Sequence, residues 1–154
     1  MVVIDTDIFI LEFAFHNDSR QAINIEFLKR VQSAEPAITL YNLMEILGQL
    51  SFNLAPAKLD DWQSWLVDAY TLTVIWPFDL DEPLPAAVFF RKEIFDQPFT
   101  RMRQKRMAFL DSLVLNLAER TPGVEFFVTW NAKHFKNKSS IAVLTPDEFL
   151  KTAS

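Results

Sequence analysis

The chain opens on MVVID, an apolar run closed by an acid, with no polar residue alternating through it. Such a run suits a short parallel strand covered on both faces. Residues 7–15 then read as a helix, and 21–33 as a second, with Ile23, Phe27, Leu28 and Val31 on one face. Pro36 ends that segment. AITLY (37–41) predicts a second strand running straight into a helix, NLMEILGQLSF (42–52). Trp62, Trp65, Leu66 and Ala69 recur at helical spacing within 58–70, and TLTVIWPF (71–78) predicts a third strand.

DLDEPLPAA, acidic and proline-bearing, reads as a loop leading to a helix near 86–96, and Pro98 is expected to separate that helix from the next. In the latter, MAFLDSLVLNLAER (107–120), residues Met107, Leu110, Val114, Leu117 and Ala118 make an apolar stripe, and Asp111 lies on it. EFFVTW (125–130) and IAVL (141–144) predict the fourth and fifth strands. TPDEFL begins a last helix, with Thr145 as N-cap, Pro146 at the first position and Glu148 three beyond the cap. Strands alternating with helices predict an α/β sandwich on a mostly parallel sheet of four to five strands. With no repeat or linker, 154 residues predict a single domain, 1–154.

Composition narrows the chemistry. Half the residues are hydrophobic and fifteen are Phe, enough for a core. Cysteine is absent, which removes disulfides and thiolate-ligated zinc and fits a cytoplasmic setting. The apolar start carries Asp5, Asp7 and Glu12, so it is read as neither a signal peptide nor a membrane span. A net charge of -5 argues against a globally basic nucleic-acid binder. Locally, however, TRMRQKRM brings Arg101, Arg103, Lys105 and Arg106 together, and Lys133, Lys136 and Lys138 follow later.

Ligands of open α/β sheets bind beyond the carboxyl ends of the strands. Asp5 and Asp7 follow the first strand, Glu45 lies just after the second, and Thr129 and Asn131 close the fourth. If the helix bearing Asp111 lies across that edge, Asp5, Glu45 and Asp111 converge, and a divalent cation offsets their repulsion. Hard oxygens with only two His favour Mg²⁺ or Mn²⁺. Such ions activate water and stabilise charge on a phosphoryl group, so phosphodiester cleavage follows. Structural roles compete at every position. Asp5 or Thr6 suits an N-cap, Asn42 to Glu45 resembles a capping box, Asp7 reads as structural, and Asp111 could pair with Arg103. Asn131 suits a turn, and the 101–106 cations a solvated helix start.

VVIDTD, ITLYNLMEIL, FLDSLVLNLAE, FVTWNAKHF and IAVLTPDEFL, in this order and over nearly the whole chain, resemble the PIN domain. That family of metal-dependent ribonucleases includes the toxins of VapBC toxin–antitoxin pairs. The resemblance implies a PIN-like three-layer α/β/α sandwich in which Asp5, Glu45 and Asp111 bind Mg²⁺ or Mn²⁺ and act in catalysis. It implies that Asn131, where many members carry a fourth acid, contributes to the metal's surroundings with Thr129 and Thr6 in support. Asn131 lowers the charge count, and RMAFLD is bulkier than the usual approach to the third acid.

The expected function is therefore an endoribonuclease, the toxin of a type II pair, with Arg101, Arg103, Lys105 and Arg106 gripping the RNA backbone. An antitoxin partner and a homodimer are implied, with Phe residues of 86–99 as dimer candidates although the core is their expected home. Trp130, too, is expected to pack rather than stack on a base. Two rivals stand beside this reading. One is a catalytically weak or inactive PIN-like interaction module. The other is a haloacid dehalogenase-type phosphatase, since IDTDIF holds a D-x-D after a strand; there Asp5 is the nucleophile and Asp7 the acid.

Overall fold

The computed structural model describes residues 1–77 and 85–152. Its centre is a five-stranded, wholly parallel sheet of strands β1 (Val2–Ile4), β2 (Pro36–Thr39), β3 (Thr73–Ile75), β4 (Phe126–Val128) and β5 (Ala142–Leu144), ordered β3-β2-β1-β4-β5. Val3 pairs with Ala37 on one side and Phe127 on the other. β1 and β2 are buried at every position, which explains their unbroken apolar runs. From β1 the chain builds outward through β2 and β3, then returns to lay β4 against the other side of β1. The sheet's direction of growth reverses between β1 and β4, the point at whose carboxyl edge open α/β sheets bind ligands.

Helices cover both faces. Alternate side chains of a strand point to opposite sides, so Ile4, Ile38 and Val128 enter one core with Ile8 and Phe9 of α1 (Thr6–Ala14), Phe27 of α2 (Gln21–Arg30), Leu43 of α3 (Leu40–Ser51), Leu66 of α4 (Pro56–Ala69) and Phe149 of α9 (Pro146–Thr152). Val3, Ala37 and Phe127 enter the other with Val114, Leu115 and Leu117 of α7 (Phe109–Arg120) and Phe135 of α8 (Ala132–Phe135). These two cores make the fold a three-layer α/β/α sandwich. Among the described residues, no helix is long and apolar enough to cross a membrane.

Several local expectations are corrected. Pro98 does not separate two helices: α5 (Ala86–Arg91), a π-helical turn (Lys92–Asp96) and α6 (Gln97–Lys105) run on through it. The wider π register just ahead of Pro98 absorbs its missing N–H, so the proline interrupts no regular ladder. The break falls instead at Arg106, in the left-handed conformation (φ 49, ψ 57), and only then does α7 begin.

Phe90, Phe95 and Phe99 are not in the core; they are 65%, 58% and 50% exposed. Phe95 and Phe99 stack on each other at 5.6 Å on the outer face of this helical run. The acidic loop expected at 79–87 lies mostly outside the described residues. At the last helix, the capping box is present: Glu148 N–H donates to Thr145 Oγ1 and Thr145 N–H to Glu148 Oε2.

Candidate functional site

The end of β1 becomes the start of α1 within one residue, and Asp5 is that residue. Its backbone is extended, and its Oδ1 accepts from Thr6 N–H at 2.8 Å, so it is the N-cap. A second donor reaches the same oxygen from α3, Asn42 Nδ2 at 2.9 Å. Asn42 is wholly buried and fixed in turn by Thr39, whose hydroxyl donates to Asn42 Oδ1 at 2.6 Å and accepts from Asn42 N–H at 3.1 Å. Thr39 is thus the cap of α3, and the capping box expected between Asn42 and Glu45 is replaced by this arrangement. The reason is topological: β2 runs parallel beside β1, so the first turn of α3 lies against the first turn of α1, and Asn42 is drawn to the acid. Thr6 accepts from the same amide at 3.2 Å.

Asp7, in the first turn of α1, reaches across to the end of β4. Its Oδ2 accepts from Thr129 Oγ1 at 2.9 Å and from Asn131 N–H at 3.2 Å. Its Oδ1 is buried and has no hydrogen-bond partner. Burial foremost, then the charge of Asp7, pushes the Asp5 carboxyl up to about 8; hydrogen bonds from Thr129 and the Thr6 amide oppose this, and the charge of Glu45 adds to it. Asp7 is raised by burial as well, against its bonds to Thr129, Trp130 and Asn131 and the charge of Arg20. The two carboxylates are therefore a destabilised pair of anions, which a proton or a cation would relieve.

Glu45, on the first turns of α3, is part-exposed and close enough for its charge to act on Asp5. Asp111 stands at the start of α7, 32% exposed rather than enclosed in the stripe, with Oδ2 3.4 Å from His134 Nε2. Burial raises its carboxyl and the positive fields of His134 and Lys138 lower it. The pairing partner is thus His134, not Arg103. His134 was legible in the sequence only as one of two histidines; its place on α8, directly after β4, is what brings it to Asp111. Among the described residues, no three His, Asp or Glu stand close enough together to share one ion. Asp7 and Glu45 are near enough for their charges to act on Asp5, Asp7 Oδ1 is a buried carboxylate oxygen without a hydrogen-bond partner, and all three side chains offer only hard oxygen donors.

The basic run divides. Arg103, Lys105 and Arg106 are exposed. Arg101 is only 13% exposed and is spent inside the protein: it pairs with Glu119, donates from Nε to Asn116 Oδ1 at 2.6 Å and from Nη1 to the Lys138 carbonyl at 2.9 Å. Its expected place on an RNA backbone is corrected accordingly, because those donors are committed. A pocket of about 730 Å³ opens here, lined by Arg101, Lys105, Glu119 and Arg120, and none of the candidate acids lines it. Trp130 is packed as expected: its Nε1 donates to buried Asn24 at 2.8 Å, and the Arg20 guanidinium covers its ring at 5.4 Å.

The five-stranded parallel sheet with helices on both faces is a PIN-like α/β fold. Comparison with solved structures bears out that fold. One similar structure is VapBC2 from Rickettsia felis bound to a DNA fragment from their promoter, with a TM-score of 0.63 and 19% identity, covering 94% of this chain and 98% of that one. Another is FitAB bound to the IR36 DNA fragment, with a TM-score of 0.60, 14% identity and 95% of each chain covered. No protein-family model and no curated protein matches the sequence.

Proposed function

We propose that the protein is a divalent-cation-dependent endoribonuclease, and that it serves as the toxin of a toxin–antitoxin pair. The observation that carries the reading is the Asp5 carboxylate at the reversal point of a PIN-like sheet, oriented by Asn42 and raised by burial first and then by the charge of Asp7. Glu45 and Asp111 complete the expected acid set, with Asn131, Thr129 and Thr6 around it. Mg²⁺ or Mn²⁺ held by these carboxylates would supply activation of water and stabilisation of charge at a phosphodiester. Asn42 and the Thr6 amide hold Asp5 in one rotamer, so its carboxylate carries no ordering cost at binding. Thr129 does the same for Asp7. Arg103, Lys105 and Arg106 contribute sequence-independent affinity for the RNA backbone. The VapBC2 and FitAB likeness supports a protein antitoxin as partner, and the exposed Phe90, Phe95 and Phe99 support a homodimer.

The test is RNA cleavage by the purified chain with Mn²⁺, with chelator, and by Asp5→Asn. Cleavage is expected in the first alone; equal cleavage in all three overturns the enzyme reading. A second reading, a PIN-like module that acts through its partner without catalysis, draws on the Asp111–His134 contact and the lack of a closed three-acid group among the described residues. Failure of the wild-type chain to bind Mn²⁺, with antitoxin binding intact, would favour it.

A further inference from the structure

We propose that the cleft between α6 and α7 is a phosphate-binding site, and that the phosphate it takes belongs to a single-stranded RNA; the choice of RNA rests on the ribonuclease reading above. The cleft has a volume of about 730 Å³, within the roughly 300–1,000 Å³ of ligand sites. Sites of that size are mostly lined by apolar and aromatic side chains. This one has neither in its walls. A lipid tail or an apolar peptide anchor has nothing to pack on there, whereas an anion meets hydroxyls, amides and cations.

The charges of the walls leave a positive surplus. Arg101 is paired with Glu119, and Arg120 with Glu93. Asp96, the other acid of the cleft, lies 3.6 Å from Arg91. Two cations remain. Lys105 has no ion-pair partner among the described residues. Lys138 gives its Nζ to the Arg106 carbonyl at 3.1 Å and stands 3.5 Å from His134 Nε2, so its ammonium touches no carboxylate.

The walls are held in place before a ligand arrives. Arg101 Nη1 donates to the Lys138 carbonyl at 2.9 Å and Ser140 N–H donates to Glu119 Oε1 at 2.8 Å, so one ion pair clamps the turn at 138–140. That ordering lowers the cost of binding. It also gives the buried Arg101 a role: it builds the site rather than touching the RNA. With no aromatic ring as a platform for a base, the cleft recognises backbone and not sequence. One imidazole links it to the acids, since His134 Nε2 is 3.4 Å from Asp111 Oδ2 and 3.5 Å from Lys138 Nζ. A strand that crosses Asp111 therefore continues into the cleft.

The test is made in chelator, where binding is measured apart from cleavage. Inorganic phosphate, and separately a short single-stranded RNA, are titrated into wild type, Lys138→Gln, Gln104→Glu and Lys29→Gln, with backbone amide NMR and RNA affinity as readouts. Lys29→Gln is the control, removing an exposed cation from α2 in the opposite helical layer. Phosphate and RNA are expected to shift the same amides, those of Gln104, Lys105, Ser139 and Ser140, in wild type and Lys29→Gln. RNA affinity is expected to fall at least about tenfold in Lys138→Gln and in Gln104→Glu, as for loss of a charged hydrogen bond. Gln104 is exposed near the end of α6, so Gln104→Glu is expected to melt with wild type and carries the test should Lys138→Gln unfold. Amides that do not respond to phosphate, or RNA affinity that falls no further than in Lys29→Gln, overturn the site. Phosphate binding with these amides unmoved by RNA, or moved more readily by polyglutamate than by RNA, overturns the RNA assignment. RNA bound in this cleft without cleavage in Mn²⁺ would defeat the ribonuclease reading and leave the site standing.

Discussion

Asn42 Nδ2 lies 2.9 Å from Asp5 Oδ1, joining residues 37 positions apart in the chain. The bond ties the first turn of α3 to the cap of α1 and orients Asp5. Asn42→Ala removes the donor and leaves the Thr39 hydroxyl and Asp5 each short of a buried partner. The expected loss is about 1–3 kcal/mol of stability, read by denaturant unfolding. Cleavage is expected to fall further than stability alone explains, because Asp5 then loses the one bond that ties it to α3.

Stability should depend on pH through Asp5. Its carboxyl stands at about 8 in the folded chain against an ordinary value of 3.8. Between those values the folded state holds a proton that the unfolded state has released, so unfolding becomes easier as pH rises. The metal-free protein is therefore expected to be most stable near pH 4, to lose stability up to about pH 8, and to level off above. The raised carboxyl of Asp7 acts in the same direction. Thermal melting of wild type and Asp5→Asn across this range checks it: a slope of equal steepness in both would rule out Asp5 as the source.

A divalent cation competes with that proton. The increase in melting temperature caused by Mn²⁺ is expected to be larger at pH 8 than at pH 5, where the Asp5 carboxyl is still protonated. Paired melting curves at the two pH values, with and without chelator, measure it. An increment that does not change with pH would place the ion elsewhere.

The four cations of 101–106 should divide under mutation. Arg101→Ala strips partners from Glu119, which is itself only 15% exposed, and is expected to cost about 2–3 kcal/mol, somewhat under the range for a fully buried pair. Replacing Arg103 and Lys105 together with Ala is expected to leave stability nearly unchanged and to weaken RNA binding. The slope of log affinity against log salt should then fall by about 0.7 for each phosphate no longer neutralised. Filter binding over a range of salt concentrations, beside unfolding curves, distinguishes the two kinds of cation.

Phe90 and the stacked pair Phe95 and Phe99 leave three large apolar side chains exposed on one helical run, and the proposed homodimer would cover them. If the proposed homodimer forms through this face, Phe95→Ser with Phe99→Ser is expected to shift sedimentation at micromolar concentration from dimer to monomer, and a wild-type chain that sediments as a monomer overturns the dimer. Because these side chains contribute nothing to either core, the variant should melt within a few degrees of the wild-type monomer.

Much of the architecture was legible because buried parallel strands leave an unmistakable trace. VVI, AIT, FFV and AVL are apolar runs too short for helices, spaced by helical periodicity, and that pattern alone implies a layered parallel sheet. The acids after β1 and early in α3 were equally visible, since residues at strand ends are set by local sequence. The capping box at Thr145 was legible for the same reason.

What the chain could not disclose by itself was every relationship made across the sheet edge. Which of Asp5, Asp7, Glu45 and Asp111 face one another depends on β1 lying between β2 and β4, and strand order is a property of long-range pairing. For that reason Asn42 read as a cap and proved to be Asp5's anchor, Asp7 read as structural without a partner and bonds the residues after β4, and Asp111 met His134 rather than Arg103. Arg101 and Glu119 found each other through the packing of α6 on α7. Local pattern decided the elements; the carboxylates' partners were decided by tertiary packing, because a charge removed from water takes whichever neighbour the fold brings within reach.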